Sequence, residues 1–402
     1  MRKRVLRWLA CPLCHGELEL RTAVAGRQPV APADRAALEA IAPIDRTDDI
    51  DTDVVAGALV CGSCRRYYPV HNGVPRMLTY PTEVAHVHAR EHAAWIAERL
   101  AGFALPAGSP PPGEAGVLRT FSTEWTGYRW NGKSYWDTTP ETMLRVKRFE
   151  LGLGKHDLKH RLVLEVGIGI GGTADALSRA EDCELVGMDL SYAVDQARHY
   201  FGANPRLHIV QASVFAPPFR PDSFDVVYSH GVLHHTHSTR AAFGEIAPLP
   251  KPASGMLYVW LYSHEQERRT PLRHALMAIE RAIRPVLARL PAPVQTAVLM
   301  PTTPLYMLYQ NFYRRRKMGR QYTATYTWNE ALHAARDRLT PPFAHRHSYE
   351  EVAGWFIAER YGRLELLRDE PRPEGVADTV RRNVGIRGFR LQDVPVPAPA
   401  GR

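Results

Sequence analysis

Three groups of side chains have the types and spacing that chemistry needs. The first is Glu165-Val-Gly-Ile-Gly-Ile-Gly-Gly172, followed at a distance by Asp189. Glycines at 167, 169 and 171 leave room for a ligand to approach the backbone, and they permit positive φ where a turn demands it. Asp189 can hold paired hydroxyls of a nucleoside ligand through charge-assisted hydrogen bonds. The second group is Cys11-Pro-Leu-Cys14 with Cys61-Gly-Ser-Cys64. Two C-x-x-C turns can bring four thiolates to one tetrahedral Zn2+, which leaves no open position and makes the metal structural. The third is His234-His235, closing the stretch Asp222-Ser-Phe-Asp-Val-Val-Tyr-Ser-His-Gly-Val-Leu-His-His235. Histidine titrates near neutral pH, so either ring is a candidate general base.

The elements that must position these groups follow from hydrophobic pattern. Leu162, Val163, Leu164 and Val166 form the continuous apolar run of a buried parallel strand. Thr173 to Arg179 reads as the start of a helix. Strands are expected at 161–166, 184–189, 206–211, 223–229 and 255–262, and helices at 172–180, 191–201 and 238–246. Crossovers of this length imply parallel strands with helices on both faces. The ligand crevice then lies at the carboxyl ends of the strands.

The glycine spacing alone also suits a dinucleotide, since Gly167, Gly169 and Gly172 satisfy G-x-G-x-x-G. The E-x-G-x-G-x-G run, the acid closing the second strand and the Asp222–His235 stretch occur together in order. In that combination the chain resembles the class I S-adenosylmethionine (SAM) methyltransferases, of the type 11 or UbiE-like kind. The resemblance implies a Rossmann-like α/β sheet and SAM as cofactor. It implies that Gly167, Gly169 and Gly171 face the methionine part, that Glu165 holds the turn or the amino group, and that Asp189 binds the ribose. Leu190, Val214 and Phe215 would border the adenine. Two positions depart from the family. Ser213 stands where an acid usually reads the adenine amine, and a hydroxyl accepts more weakly. Lys251-Pro-Ala-Ser-Gly-Met256 replaces a Pro-Gly-Gly turn.

Residues 1–80 form a first unit. After its cysteines comes Arg65-Arg-Tyr-Tyr-Pro-Val-His-Asn-Gly-Val-Pro-Arg-Met-Leu78. The whole resembles a Trm112-like zinc ribbon, with Val74 in place of Ile. That resemblance leaves open a role in docking RNA or protein. Residues 81–116 read as a helix over Glu83–Leu100 and a Pro/Gly-rich linker, so the zinc unit is expected to be a separate module. The methyltransferase-like domain covers 117–392, with a helical insertion at 263–320, and 393–402 should be a disordered tail. Phe121, Trp125, Tyr128, Trp130, Tyr135 and Trp136 precede the glycine turn. Trp125 and Tyr128 are the best candidates for a lid on a sulfonium, which an aromatic face attracts.

Composition narrows the setting. The 51 Lys and Arg outnumber the 42 Asp and Glu, a net charge of +9 over 402 residues. That favours anionic partners or serves solubility. Four of five cysteines lie in the C-x-x-C pairs, which argues against a disulfide framework. No secretory signal is evident, so a cytoplasmic protein is expected. Leu290 to Tyr313 carries no charge and is long enough to span a bilayer. However, Pro291, Pro293, Pro301 and Pro304 interrupt it, which argues against a transmembrane helix. A hydrophobic cap over the acceptor pocket is expected, with a basic membrane-surface segment as the alternative. Both imply a bulky apolar, lipid-like acceptor. An RNA- or protein-modifying enzyme and a non-catalytic adapter remain open, the latter on the strength of Ser213.

Overall fold

The computed structural model describes residues 1–132, 139–264, 271–314, 325–374, 376 and 378–392. Tyr135, Trp136, Arg268, Arg269, the Arg315–Lys317 run and the 393–402 tail lie outside them. The N-terminal unit opens with a 3-10 turn, Lys3–Arg7, and builds a four-stranded antiparallel sheet. Its strands are β1 (Leu18–Arg27), β2 (Thr52–Cys61), β3 (Arg66–His71) and β4 (Val74–Pro75), with helix α1 (Pro32–Ile41) between β1 and β2. The expected helix over 83–100 is two helices, α2 (Glu83–Glu91) and α3 (Ala93–Arg99). They part at His92, whose backbone is not helical.

Helices α4 (Glu114–Thr126) and α5 (Pro140–Leu151) lead into the main sheet. Then β5 (Leu162–Val166), α6 (Gly172–Ala180), β6 (Glu184–Asp189), α7 (Ala193–Phe201), β7 (Leu207–Gln211), β8 (Val226–His230), α8 (Thr239–Ile246) and β9 (Met256–Leu261) follow in the expected order. The insertion holds α9 (Pro271–Leu287), α10 (Ala292–Leu299) and α11 (Thr303–Leu308). It is followed by α12 (Trp328–Leu339), α13 (Tyr349–Ala358), β10 (Tyr361–Leu366), α14 (Asp378–Arg382) and β11 (Val384–Arg390). The seven strands are ordered β10-β11-β9-β8-β5-β6-β7. Strands β5 to β9 are parallel, and β11 runs antiparallel to both of its neighbours.

Period-2 alternation divides the buried strands between two faces. Leu162, Leu164 and Val166 join Val186, Met188, Phe243 and Phe356 on one face. Val163 and Leu185 join Phe149, Leu177 and Ala197 on the other. Residues 212–225, between β7 and β8, form no helix, so the first face would be uncovered there. The N-terminal unit covers it. Val5, Trp8 and Leu9 belong to the same core as Val186, Val210 and Phe219. The Trp8 carbonyl accepts from Arg220 N at 2.9 Å, and Ala10 N donates to the Pro218 carbonyl at 2.9 Å. At the sheet edge Met77 N donates to the Gln211 carbonyl at 2.8 Å, and Arg76 donates to Asp195 and Gln211. The expectation of a separate module therefore gives way to one shared core, because an absent crossover helix leaves apolar strand surface that the N-terminal chain buries.

Candidate functional site

The two cysteine knuckles are built alike. His15 N donates to the Cys11 carbonyl at 2.8 Å, and Arg65 N to the Cys61 carbonyl at 3.0 Å. His15 and Arg65 both take positive φ to close the turns. The Sγ atoms of Cys11, Cys14, Cys61 and Cys64 all lie within 4.8 Å of one another. Cys11–Cys64 and Cys14–Cys61 are 3.6 and 3.5 Å apart. A zinc tetrahedron with bonds of about 2.3 Å has an edge of about 3.8 Å, so the four thiols fit one ion. His15 is not a member of this group.

The glycine turn follows β5. Gly167, Gly169 and Gly171 all have positive φ. A Cβ on Gly167 would lie 2.1 Å from Val232 Cγ2, so no other residue fits without displacing the loop after β8. Asp189 closes the turn from β6. Its Oδ2 accepts from Gly169 N at 2.9 Å, and its Oδ1 accepts from Ser191 N and Oγ at 2.8 and 2.7 Å. Burial raises the Asp189 carboxyl above the usual range, and these donors oppose the rise.

A cavity of about 630 Å³ opens over this turn, and Leu190 and Val214 border it. Trp125 lies over Gly169, 3.2 Å from where a Cβ there would stand, and Trp130 covers Gly172. Both tryptophans line the cavity, whereas Tyr128 does not; Tyr128 packs edge-on against His333 instead. Of the two expected lid residues only Trp125 thus reaches the cavity, because α4 ends at Thr126 and the chain path beyond it, which spacing does not reveal, carries Tyr128 away.

Ser213 also stands back from the cavity. Its hydroxyl donates to Glu114 Oε2 at 2.5 Å, and Tyr80 donates to Glu114 Oε1 at 2.8 Å. Glu114 is buried and lines the cavity. The acid missing after β7 is thus supplied by the first residue of α4. Sequence inspection passed over Glu114 because it adjoins a proline-rich linker, and no spacing rule ties it to β7.

Beneath the turn, Lys147 Nζ donates to Glu150 Oε2 at 2.7 Å, and His230 Nδ1 lies 2.7 Å from Glu150 Oε1. Burial alone would raise Glu150, but His230 and Lys147 bring it down to about 2. Glu165 is pushed up to about 7 by burial, although Lys147 and Tyr228 act against the shift. Its Oε2 is buried with no hydrogen-bond partner among the described residues. Lys147 and Glu165 both line the cavity.

The far end of the cavity is formed by His235, Trp260, Tyr262 and Asp337. His235 Nδ1 lies 2.7 Å from the Phe343 carbonyl. A carbonyl only accepts, so Nδ1 carries the proton and Nε2 keeps its lone pair. Burial lowers the His235 pKa to about 4, which keeps the ring neutral. His234 does not line the cavity. It is fully buried with its ring 3.9 Å from that of Tyr262. Asp337 is pushed up to about 7, by burial and then by Glu124. Glu124 Oε1 lies 2.9 Å from His333 Nε2. Burial raises Glu124 to about 8 and lowers His333 to about 4, so this is a neutral pair. No described side chain of 271–314 lines the cavity. The insertion is one layer out, packed on α12, which carries Asp337. Among the described residues, the side chains over the cavity on this side come from α4 and α12.

The sheet order, the reversed last strand and the glycine turn define a Rossmann-like methyltransferase fold. Residues 164–258 match the family profile described as a methyltransferase domain, and residues 2–73 match that of Trm112p-like proteins. The two matches follow one another along the chain, the Trm112p-like stretch first. It is 29% identical to the sterol 24-C-methyltransferase of Candida albicans over 125 residues, which are 28% of this chain and 33% of that protein. It is 30% identical to that of Neurospora crassa over 131 residues, 30% of this chain and 34% of that protein. The chain thus spans about a third of the length of these curated relatives. Among solved structures it resembles the complex of the Haloferax volcanii Trm112 methyltransferase activator with a putative methyltransferase. The identity is 14% and the TM-score 0.39, over 71% of this chain and 100% of that one. It also resembles the magnesium protoporphyrin IX methyltransferase of Synechocystis with bound S-adenosylhomocysteine (SAH). Here the identity is 12% and the TM-score 0.38, over 69% of this chain and 99% of that one.

Proposed function

We propose that this chain is a SAM-dependent methyltransferase acting on a lipid-like, largely apolar acceptor. The observation that carries the reading is the single cavity running from the Gly167–Gly171 turn and Asp189 to His235, Tyr262 and Asp337. The residues fit the cofactor. The glycine turn lets a ligand reach backbone, Asp189 suits a ribose, and Glu114 suits an adenine amine. Lys147 suits a carboxylate, and the orphaned Glu165 Oε2 suits an ammonium. SAM when bound supplies an electrophilic methyl group. The protein's part is to hold the acceptor in line with that group and to keep water out, which is where most of the rate gain of such a displacement lies.

The acceptor end sets the rings of Phe121, Trp260 and Tyr262 around His235 and Asp337. The sterol-methylating relatives point to the same acceptor class. His235 is the base: Nδ1–H is fixed on the Phe343 carbonyl, and Nε2 takes the proton the acceptor loses. Its low pKa makes it a weak base that is never lost to protonation near neutral pH. Glu114 also removes the support for a non-catalytic adapter, since that reading rested on Ser213 alone.

Calorimetric titration with SAM and SAH, with Asp189→Ala as control, tests the cofactor site. Micromolar binding that the variant loses is expected, and no binding by folded, zinc-loaded protein would overturn the reading. For the base, His235→Ala should lower turnover by about 10²–10⁴ with SAM affinity unchanged. Undiminished turnover would remove His235 from that role.

A further inference from the structure

The insertion is built inside out. Ten of the sixteen exposed large hydrophobic side chains among the described residues lie between Ile279 and Phe312. Leu305 is 67% exposed and Phe312 69%, and Leu308 and Tyr309 are exposed as well. From 291 to 312 the polar side chains turn inward. Gln295 Nε2 donates to the Leu287 carbonyl at 2.8 Å, and Thr303 Oγ1 to that of Leu299 at 3.4 Å; Gln310 is buried too. From 291 to 312 every exposed residue is apolar. A free monomer rarely presents such a patch to water.

Charge indicates what covers it. Residues 271–314 contain five arginines and one acid, Glu280. Glu280 is buried and is neutralised by Arg284 and by Arg338 at 2.7 Å. Arg281 and Arg289 are exposed beside the apolar face. An apolar face with an arginine border and no exposed acid matches anionic headgroups over acyl chains. A second copy would set arginines against arginines. The face is a helical run interrupted in kind, α10 passing through a 3-10 turn at Met300–Thr302 into α11 and then a π-helical turn at Tyr309–Arg314, and no described helix is long and apolar enough to cross a membrane. It suits a position in the plane of the interface.

We infer that residues 291–312 seat this protein on the surface of an anionic membrane, with Arg281 and Arg289 among the headgroups. The seated face is backed by α12, whose Asp337 reaches the acceptor end of the cavity. The membrane then lies one helix layer from the site, where a lipid-like acceptor would enter. The surface stands on exposure and charge, not on the assigned reaction.

Vesicle flotation of the full chain tests this without any turnover. The protein should float with phosphatidylcholine vesicles containing phosphatidylglycerol, more weakly in high salt, and weakly with phosphatidylcholine alone. Leu305→Asp with Phe312→Asp should lower partitioning at least about tenfold, with thermal stability and SAM affinity unchanged. Arg281→Glu with Arg289→Glu should lower binding to the anionic vesicles only. Ile357→Asp, an exposed apolar residue on α13, should change nothing. The inference fails if the wild type floats with neither vesicle, or if the Leu305/Phe312 variant floats as well as wild type. It also fails if light scattering shows a dimer that this variant makes monomeric while neither protein binds vesicles.

Discussion

Arg4 and Glu184 meet at 2.8 Å with both side chains fully buried, one from the N-terminal 3-10 turn and the other at the start of β6. Arg4 also donates to the Leu38 and Ala42 carbonyls, and His208 Nε2 lies 2.8 Å from Glu184 Oε1. The cysteine-bearing unit and the large sheet therefore share a buried ion pair. Removing a single partner strands a charge in the core. Arg4→Met is expected to destabilise the whole chain by about 3–5 kcal/mol. Restoring neutrality with Arg4→Met plus Glu184→Gln should recover much of it. Denaturant unfolding of both variants decides the point, and a loss under about 1 kcal/mol for Arg4→Met would refute it.

The same shared core would carry the effect of a zinc ion at the four cysteines beyond its own site. Cys11 and Cys61 of the knuckles belong to the same core as Val186, Val210 and Phe219. Chelation of zinc should therefore lower the melting temperature of the entire protein in one merged transition, since structural zinc is folding free energy. Differential scanning calorimetry with and without chelator checks this. Two separate transitions, with the upper one unmoved by chelation, would show independent modules.

Glu114 joins Tyr80 of the N-terminal segment to Ser213 after β7. Burial raises its carboxyl, and the two hydroxyl donors hold the rise back. Glu114→Ala should weaken SAM binding by about tenfold or more, the scale of one charged hydrogen bond. Ser213→Ala should cost less, because Glu114 stays in place with one donor remaining. Calorimetry on both variants measures the order; equal losses, or none from Glu114→Ala, would assign the adenine contact elsewhere.

Glu124 carries a pH dependence of known sign. Its folded pKa of about 8 lies above the ordinary value of 4.5, chiefly through burial. A raised carboxyl contributes stability that is whole below about pH 4.5 and is lost as pH rises toward 8, where the unfolded chain ionises first. The slope is at most about 1.4 kcal/mol per pH unit. Glu124→Gln keeps a neutral partner for His333 and should remove this slope. Its advantage over wild type should grow between pH 6 and 8.5 in urea melts. Parallel profiles would mean that Glu124 ionises freely in the fold.

Much of this protein was determined by the sequence alone. The glycine turn, Asp189 and the cysteine pairs lie within short windows, and local rules of turn geometry and metal spacing act at that range. Strand and helix order followed from periodicities of 2 and 3.6 that report burial directly. What lay beyond reach were pairings across the chain. Glu114 with Ser213, Arg4 with Glu184, and Asp337 with His235 in one cavity bring together residues 99, 180 and 102 positions apart. The division of labour within His234-His235 was equally hidden, because the two rings lie only 4.3 Å apart and differ in what packs around them, the Phe343 carbonyl for His235 and the Tyr262 ring for His234. The same holds for the insertion: its composition was plain, but which side chains face out was settled only by what α12 and the core already buried. Tertiary structure decides such matters because burial, and with it pKa, hydrogen-bond partners and exposed surface, belongs to packed surfaces and not to neighbours along the chain.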